Sequence, residues 1–155
     1  MDLKKDFMRE IKGNLFNQKV DVICITTNGS VRTDGRAVMG RGVAKQAATL
    51  FPELPLLLGT AIQTFGNHFH YLQYYPERGY TIAAFPVKEI WSDQADLKLI
   101  EESCKDLVES TMPEVTVALV RPGCGNGHRD WETEVKPILE KYLDNRFIIV
   151  ENENV

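Results

Sequence analysis

The stretch VDVICITTNG, residues 20–29, decides the fold class of this chain. Residues 20–27 are β-branched and almost continuously apolar, which is typical of a strand that is covered on both faces. Asn28 and Gly29 then supply a turn signal. A strand that is buried above and below needs a layer of helices on each side, so this stretch favours an α/β protein.

The rest of the chain alternates strand patterns with helix patterns. Pro52 and Pro55 break the apolar pattern after the first helix, and Pro137 lies inside the last helix, which is therefore kinked or begins late. This alternation predicts helices on both faces of a mixed or mostly parallel sheet. The predicted strands cover residues 6–11, 20–27, 68–75, 80–87, 114–120 and 146–150, and the predicted helices cover residues 43–51, 93–110 and 131–143.

The composition fits one globular domain over residues 1–155. The formal charge is −4, from 18 Lys and Arg against 22 Asp and Glu. Because a phosphate backbone is held by many basic residues, this balance argues against a broad nucleic-acid surface. It leaves room for a small phosphate-bearing ligand at a local site.

The cysteines and the apolar runs bear on the compartment. Cys24, Cys104 and Cys124 are odd in number and widely spaced, a poor disulfide framework that fits a reducing cytoplasm. No apolar run approaches the roughly 20 residues of a membrane span, and the N-terminal stretch lacks the apolar core of a signal peptide. We expect a cytoplasmic protein with no membrane partner, and we expect a monomer.

Four glycine-rich or polar loops follow predicted strands. They are the loop at Gly13–Asn14, the loop NGSVRTDGRAVMGRG at residues 28–42, the loop PVKEIW at residues 86–91 and the loop PGCGNGH at residues 122–128. If the strands are parallel, these loops meet at one edge of the sheet, where their backbone N–H groups suit phosphate oxygens. The loops match neither the P-loop nor the dinucleotide fingerprint, and each alone is consistent with a tight turn. Together they favour a diphosphate or nucleotide pocket.

At these residues the chain resembles a macro domain, the module that binds ADP-ribose. The similarity covers nearly the whole length, and it implies a single three-layer α/β/α domain with a mixed, mostly parallel central sheet. FPVKEIW at residues 85–91 is similar to the lysine-bearing segment of the terminal ADP-ribose glycohydrolase class. GCGNG followed closely by DW is similar to the same class, which includes antitoxin enzymes that remove ADP-ribose from DNA.

The resemblance implies a role for each loop in holding ADP-ribose. Asn14 stands where the family usually has an aspartate for the adenine amino group, Leu15 is implied to offer its backbone N–H to the same base edge, and Asn28 is implied to face the distal ribose. The residues implied to line the diphosphate from its two sides are Gly40, Arg41, Gly42 and Val43, and Cys124, Gly125, Asn126, Gly127 and His128.

The resemblance also implies a catalytic role for Lys88, which attacks the anomeric carbon of the distal ribose in that class. This chemistry needs an amine that is neutral part of the time. Some members carry an aspartate at the position of Gly127, and here Asp130 is the nearest carboxylate. From the residues alone, Lys88 also fits an exposed lysine after a strand, Asp130 a helix N-cap, and Asn28 a turn residue.

Other polar residues near these motifs have plainer explanations. His68 and His70 share one face of a strand, but no further ligands complete a metal site. Cys124 and His128 lie on a loop without fixed geometry for a nucleophile and its base. Trp91 and Trp131 are more often packing residues than stacking platforms. The basic residues around the first glycine loop either steer an anionic ligand or form a solvated face, and they are Arg32, Arg36, Arg41 and Lys45.

Three functions are compatible with the sequence. The first is a hydrolase that uses Lys88 to remove ADP-ribose from a modified macromolecule. The second is a phosphatase on ADP-ribose-1''-phosphate, which would use an activated water and loop residues such as Asn28, His128 or Asp130. The third is a non-catalytic reader of ADP-ribose. Each has ADP-ribose or an ADP-ribosylated DNA, protein or metabolite as its partner, and none requires a cofactor or a metal.

Overall fold

The computed structural model describes residues 7–152 and contains a single central sheet. Within that range no helix is both long enough and apolar enough to cross a membrane. The strands are β1 (Arg9–Gly13), β2 (Val22–Asn28), β3 (His70–Tyr75), β4 (Tyr80–Lys88), β5 (Val117–Val120) and β6 (Phe147–Asn152), and the helices are α1 (Gly42–Leu50), α2 (Leu54–Phe65), α3 (Leu97–Ser110) and α4 (Lys136–Glu140). A 3₁₀ turn, Leu15–Asn17, follows β1, and a π-helical turn, Trp131–Val135, precedes α4.

The sheet has the strand order β1-β6-β5-β2-β4-β3. Four of its five neighbouring pairs are parallel, and the hairpin of β3 with β4 is antiparallel. The mixed, mostly parallel sheet is therefore confirmed. The parallel strands point their carboxyl ends to one edge of the sheet, and the loops that follow them meet there.

Alternate residues of the central strands face two separate cores. In β2, Ile23 and Ile25 pack with α1 and α2, while Val22 and Cys24 face the opposite core with α3 and α4. This explains why residues 20–27 read as continuously apolar, since both faces of the strand are buried. The three-layer α/β/α arrangement is confirmed.

The helix α2 is absent from the sequence prediction, which took Pro52 and Pro55 as helix breakers. Pro55 lies in the first turn of α2, where a backbone N–H has no partner within the helix, so a proline there costs little. Leu54 and Leu58 are buried and fix the helix against the sheet. The prolines mark the boundary between two helices and not the end of helical structure.

Other boundaries differ by a few residues. β1 is predicted over residues 6–11 and runs from Arg9 to Gly13, and residue 6 lies outside the described range. α3 begins at Leu97, four residues later than predicted, because the Asp96 carboxylate caps it by accepting from the N–H groups of Lys98 and Leu99. Pro137 lies in the first turn of α4, so the last helix does begin late, after a π-helical turn.

Candidate functional site

A cavity of about 830 Å³ opens at the carboxyl ends of the parallel strands. The last residues of four strands line it: Asn28 of β2, Lys88 of β4, Val120 of β5 and Asn152 of β6. Its volume is typical of a site for a nucleotide-sized ligand. The predicted site residues that the structure brings together on its wall are Asn28, Gly40, Arg41, Gly42, Val43, Lys88, Cys124, Gly125, Asn126, Gly127 and Asp130.

The two glycine loops approach each other across this cavity. Gly42, the first residue of α1, has φ +56°, a conformation that favours glycine. A Cβ atom at Gly42 would lie 3.1 Å from the side-chain nitrogen of Asn126 in the second loop. The first N–H groups of α1 and the backbone of residues 123–127 therefore border the same space, a suitable environment for an anion.

The second glycine loop is packed tightly against residue 95. The Ala95 N–H donates to the carbonyl of Gly127 at 2.9 Å, and the Arg129 Nε donates to the carbonyl of Ala95 at 2.7 Å. A Cβ at Gly127 would lie 2.6 Å from the carbonyl oxygen of Gly123 and 2.7 Å from the Cβ of Ala95. This chain therefore has no room for a side chain at residue 127, which accounts for its departure from members that carry an aspartate there.

Lys88 is buried although it ends a strand at the cavity, with 8% of its surface exposed. Its Nζ donates to the carbonyl of Asp93 at 3.1 Å and lies 3.5 Å from the carbonyl of Asn126. Burial and the nearby Arg41 guanidinium lower the pKa of the Lys88 amine, and the Asp93 carboxylate opposes them. The amine is therefore neutral more often than that of an exposed lysine.

Two hydrogen-bond donors fix the backbone carbonyl of Lys88. The N–H of Gly29 and the side-chain amide of Asn67 both donate to its carbonyl, at 3.2 and 3.1 Å. Sequence reasoning did not single out Asn67, because a lone asparagine in the turn before β3 carries no motif. It acts by positioning the lysine segment relative to β2.

Asn28 supplies the turn after β2 and also lies on the cavity wall. Its side-chain Nδ2 donates to the carbonyl of Val38 at 3.1 Å, and its Oδ1 accepts from the Ser30 N–H at 2.9 Å. These bonds fix the turn after β2 and tie it to the first glycine loop. Asn28 is also half-buried on the cavity wall.

Asp130 lines the cavity and caps the π-helical turn. Its carboxylate accepts from the backbone N–H of Thr133 at 2.8 Å and from the Thr133 hydroxyl at 2.6 Å. These two bonds lower the pKa of Asp130. The carboxylate thus fills the helix-cap role that the sequence offered, and its catalytic role stays a prediction.

Three predicted binding residues do not line the cavity. The Asn14 side chain accepts from the Phe16 N–H and caps the 3₁₀ turn, and the Leu15 N–H donates to the Asn152 Oδ1 at 2.6 Å. The Leu15 N–H is thus engaged by the end of β6 in this structure, and its contact with a base stays a prediction. His128 is exposed with φ +59°, and its ring lies off the cavity wall.

A second group of wall residues escaped the sequence reasoning. Arg121 lies 5.3 Å above the Trp131 ring and forms an ion pair with Glu151 at 3.4 Å. Trp131 is buried, as a packing residue is, yet it also faces the cavity, together with Asn152. One feature of the sequence could have indicated the wall residues at the end of β6. The carboxyl end of the strand predicted at residues 146–150 must reach the same edge of the sheet as the other parallel strands.

The cysteine and histidine candidates take no part in this arrangement as nucleophiles or metal ligands. Burial raises the pKa of Cys124 to about 11, so its thiol is protonated at neutral pH. The ring of His70 bonds to the Gly66 carbonyl at 3.0 Å, away from the cavity. In residues 7–152 no three His, Cys, Asp or Glu side chains are grouped as metal ligands.

Comparisons with known proteins agree with this geometry. No family model matches the sequence. A curated relative, the DNA ADP-ribosyl transferase-DNA ADP-ribosyl glycohydrolase fusion protein of Thermosipho africanus, is 26% identical over 86% of this chain. The match covers 38% of that relative, so this chain spans about two fifths of its length.

Solved structures share the fold over most of the chain. The macro domain of Thermus aquaticus DarG is 28% identical, with a TM-score of 0.73 over 92% of this chain and 96% of that one. The macro domain of Mycobacterium tuberculosis DarG is 24% identical, with a TM-score of 0.74 over 90% of this chain and 96% of that one. Thermosipho africanus DarTG in complex with ADP-ribose is 22% identical, with a TM-score of 0.76 over 92% of this chain and 41% of that one.

The sheet order, the two buried cores and the cavity at the carboxyl ends of the strands agree with these similarities. This chain has the macro domain fold, and it is similar to the DarG macro domains.

Proposed function

We propose that this macro domain binds ADP-ribose and removes it from modified DNA through Lys88. The observation that carries the proposal is a buried lysine with a lowered pKa at the end of a nucleotide-sized cavity. The name of the fusion relative, which includes a DNA ADP-ribosyl glycohydrolase, supports the choice of DNA. The ADP-ribose complex of a protein with the same fold supports the ligand.

In this proposal the diphosphate lies between the two glycine loops. The N–H groups at the start of α1 and along residues 123–127 supply hydrogen bonds without bulky side chains. The adenosine would extend toward Trp131 and the end of β6, where the cavity continues. The distal ribose would then lie beside Asn28 and Lys88, which are register partners in β2 and β4.

The reaction begins with a neutral Lys88 amine. Its lone pair forms a bond to the anomeric carbon of the distal ribose, and the bond from that carbon to the DNA base breaks with its electron pair going to the base. The attacking nitrogen becomes positively charged and carries protons, one of which neutralises the departing base. The adduct is then a glycosylamine, and it opens to an imine: the bond from the anomeric carbon to the ring oxygen breaks, the nitrogen lone pair forms the C=N bond, and the remaining N–H proton passes to the ring oxygen. Water adds to the imine carbon and the carbon–nitrogen bond breaks, which releases ADP-ribose and restores the free amine.

This route places no proton-donor role on Asp130. Its carboxylate is ionised at neutral pH and occupied by Thr133, so it stabilises the π-helical turn and adds negative charge near the cavity. Of the residues that a phosphatase could use, His128 lies off the cavity wall while Asn28 and Asp130 line it. The name of the fusion relative therefore carries the preference for a glycohydrolase. We also propose that the protein works in a reducing, cytoplasmic compartment, which its free cysteines fit.

A substrate panel tests the proposal. Wild type and Lys88→Ala are each incubated with ADP-ribosylated single-stranded DNA, with ADP-ribosylated protein and with ADP-ribose-1''-phosphate. We expect release of ADP-ribose from DNA by the wild type alone, with ADP-ribose affinity retained in Lys88→Ala. Phosphate release by both proteins would favour the phosphatase, and ADP-ribose binding without any turnover would leave only a reader.

A further inference from the structure

One part of the cavity mouth is aromatic and basic, and the proposed reaction assigns no substrate contact to its side chains. It consists of the Trp91 indole and the side chains of Arg32 and Arg41, which we call the rim platform. All three line the cavity. Trp91 is 45% exposed and its neighbour Ile90 is 52% exposed, so two adjacent large apolar side chains face solvent at the cavity mouth.

The rim platform has a defined geometry. The Arg41 guanidinium lies 5.4 Å from the centre of the Trp91 ring. The backbone N–H of Trp91 donates to the Ser30 hydroxyl at 3.1 Å, which ties this segment to the turn after β2. The exposed indole is therefore supported by a cation and by a backbone bond.

The positive charge of the rim platform is only partly offset within the fold, because Arg32 acts on the Asp34 carboxylate from beyond ion-pair distance. Among residues 7–152, neither Arg32 nor Arg41 forms an ion pair with a carboxylate. The nearby Arg36 is different, since it pairs with Asp34 at 3.2 Å. In a chain with a formal charge of −4, two unpaired guanidinium groups beside an exposed indole mark a local site for an anion with an aromatic part.

The position of the rim platform relates it to the reacting end of the cavity. Trp91 follows Lys88 by three residues, and Arg41 is close enough to influence the Lys88 amine. A group attached to the distal ribose must therefore leave the cavity past this edge. An aromatic ring with adjacent guanidinium groups suits a nucleobase and its phosphates, since bases stack on aromatic rings and phosphates pair with arginine.

We propose that the rim platform binds single-stranded DNA next to the modified nucleotide, with a neighbouring base on Trp91 and phosphates on Arg32 and Arg41. This inference rests on the proposed function and adds the surface that recognises the strand. A single strand is favoured because a base in a duplex is stacked and does not reach into a cavity. The small basic area also agrees with the lack of a broad nucleic-acid surface.

A binding ratio tests the proposal without requiring turnover. In the Lys88→Ala background, the Kd of free ADP-ribose is divided by the Kd of a short single-stranded oligonucleotide that carries ADP-ribose on a central base. Stacking and charge pairing predict a ratio of at least about tenfold. Adding Trp91→Ala and Arg32→Ala should reduce this ratio to within about twofold of unity. The same substitutions should lower the number of counterions released when the oligonucleotide binds by about one.

Matched controls remove an aromatic residue and an arginine elsewhere. Tyr74 is 54% exposed on β3, and Arg9 is exposed at the start of β1, so Tyr74→Ala and Arg9→Ala should leave the ratio unchanged. A ratio near unity in the Lys88→Ala parent would overturn the proposal, as would a ratio that the rim substitutions do not change. An ADP-ribosylated peptide with the same gain and the same loss would also overturn it, because the surface would then not be reading DNA.

The two proposals fail in different ways. A wild type that releases ADP-ribose from DNA while the binding ratio is near unity refutes the rim platform and leaves the reaction standing. A wild type that releases nothing while the ratio depends on Trp91 and Arg32 refutes the reaction and supports the rim platform.

Discussion

Asn28 and Lys88 are register partners at the carboxyl ends of β2 and β4. The pairing shifts by one residue between Thr27 and Asn28, which is a β-bulge at the last step of the ladder. Without this shift, Asn28 would pair with Val87, whose side chain belongs to the core under α3. The bulge therefore brings the lysine level with the asparagine at the cavity, in keeping with the frequent occurrence of bulges next to functional sites.

The pH dependence of turnover should report the Lys88 amine. Burial and Arg41 lower its pKa, so kcat should rise with pH through a value below the ordinary one of about 10.4. Arg41→Gln removes a repelling charge and should move the profile to higher pH. Asp93→Asn removes an attracting charge and should move it to lower pH.

Profiles of kcat against pH at saturating substrate check this pair of shifts. Arg9→Gln, on the distant edge strand β1, serves as the control and should not move the profile. If both substitutions near Lys88 move the profile in the same direction, the titrating group is not this amine.

Asp130 should matter to stability more than to turnover. Asp130→Ala removes the cap of the π-helical turn and should lower the free energy of unfolding measurably. Asp130→Ser keeps a capping oxygen and removes the carboxylate, so stability should be largely retained and kcat should stay within about threefold of wild type. Urea unfolding and steady-state rates give both quantities, and a loss of kcat of a hundredfold in Asp130→Ser would make this carboxylate catalytic.

The fold was predictable from the sequence because its signals are local. The apolar composition of the strand at residues 22–28 itself indicates that the strand is buried, and the same holds for the strands β4 and β6. The helix α2 was not predictable in the same way. A proline in a first turn and a proline that ends a helix look alike in sequence, and only the packing of Leu54 and Leu58 distinguishes them.

Gly127 should not accept any side chain. A Cβ there meets the Gly123 carbonyl at 2.6 Å, so Gly127→Ala should lower the free energy of unfolding by about 1–3 kcal/mol. Gly127→Asp should do at least the same harm and should not raise activity. Gly125→Ala is the matched control, since no heavy atom lies within 4 Å of its Cβ position. Equal stability of the two alanine variants in urea would contradict the packing described for this loop.

Loss of the Asn28 side-chain amide should lower both the stability of the fold and the affinity for ADP-ribose. Asn28→Asp cannot donate to the Val38 carbonyl, and it places a negative charge on the cavity wall. We expect a loss of about 1–3 kcal/mol in stability and a loss of about tenfold or more in ADP-ribose affinity, because like charges repel. Asn17→Asp, an exposed change off the cavity, provides the control for calorimetry and unfolding. An affinity equal to wild type in Asn28→Asp would remove Asn28 from the binding site.

The site was predictable only in part, and the reason is physical. Loops that follow parallel strands must meet, so the order of elements along the chain predicts that the glycine loops and the lysine segment share one edge of the sheet. The roles expected for Asn28 and Lys88 came from the family resemblance. The bond from the Leu15 N–H to Asn152 joins residues far apart in sequence, and no local pattern reports such a contact. The same holds for the Arg121 stacking on Trp131 and for the support that Asn67 gives to Lys88.

The most direct measurement is to trap the covalent intermediate on Lys88. The protein is mixed with ADP-ribose, reduced with borohydride and digested, and the modified residue is located by mass spectrometry. We expect one dominant adduct on Lys88, absent from Lys88→Ala and far more abundant than modification of the exposed Lys45. No adduct on Lys88, or an adduct spread evenly over the surface lysines, would contradict this expectation.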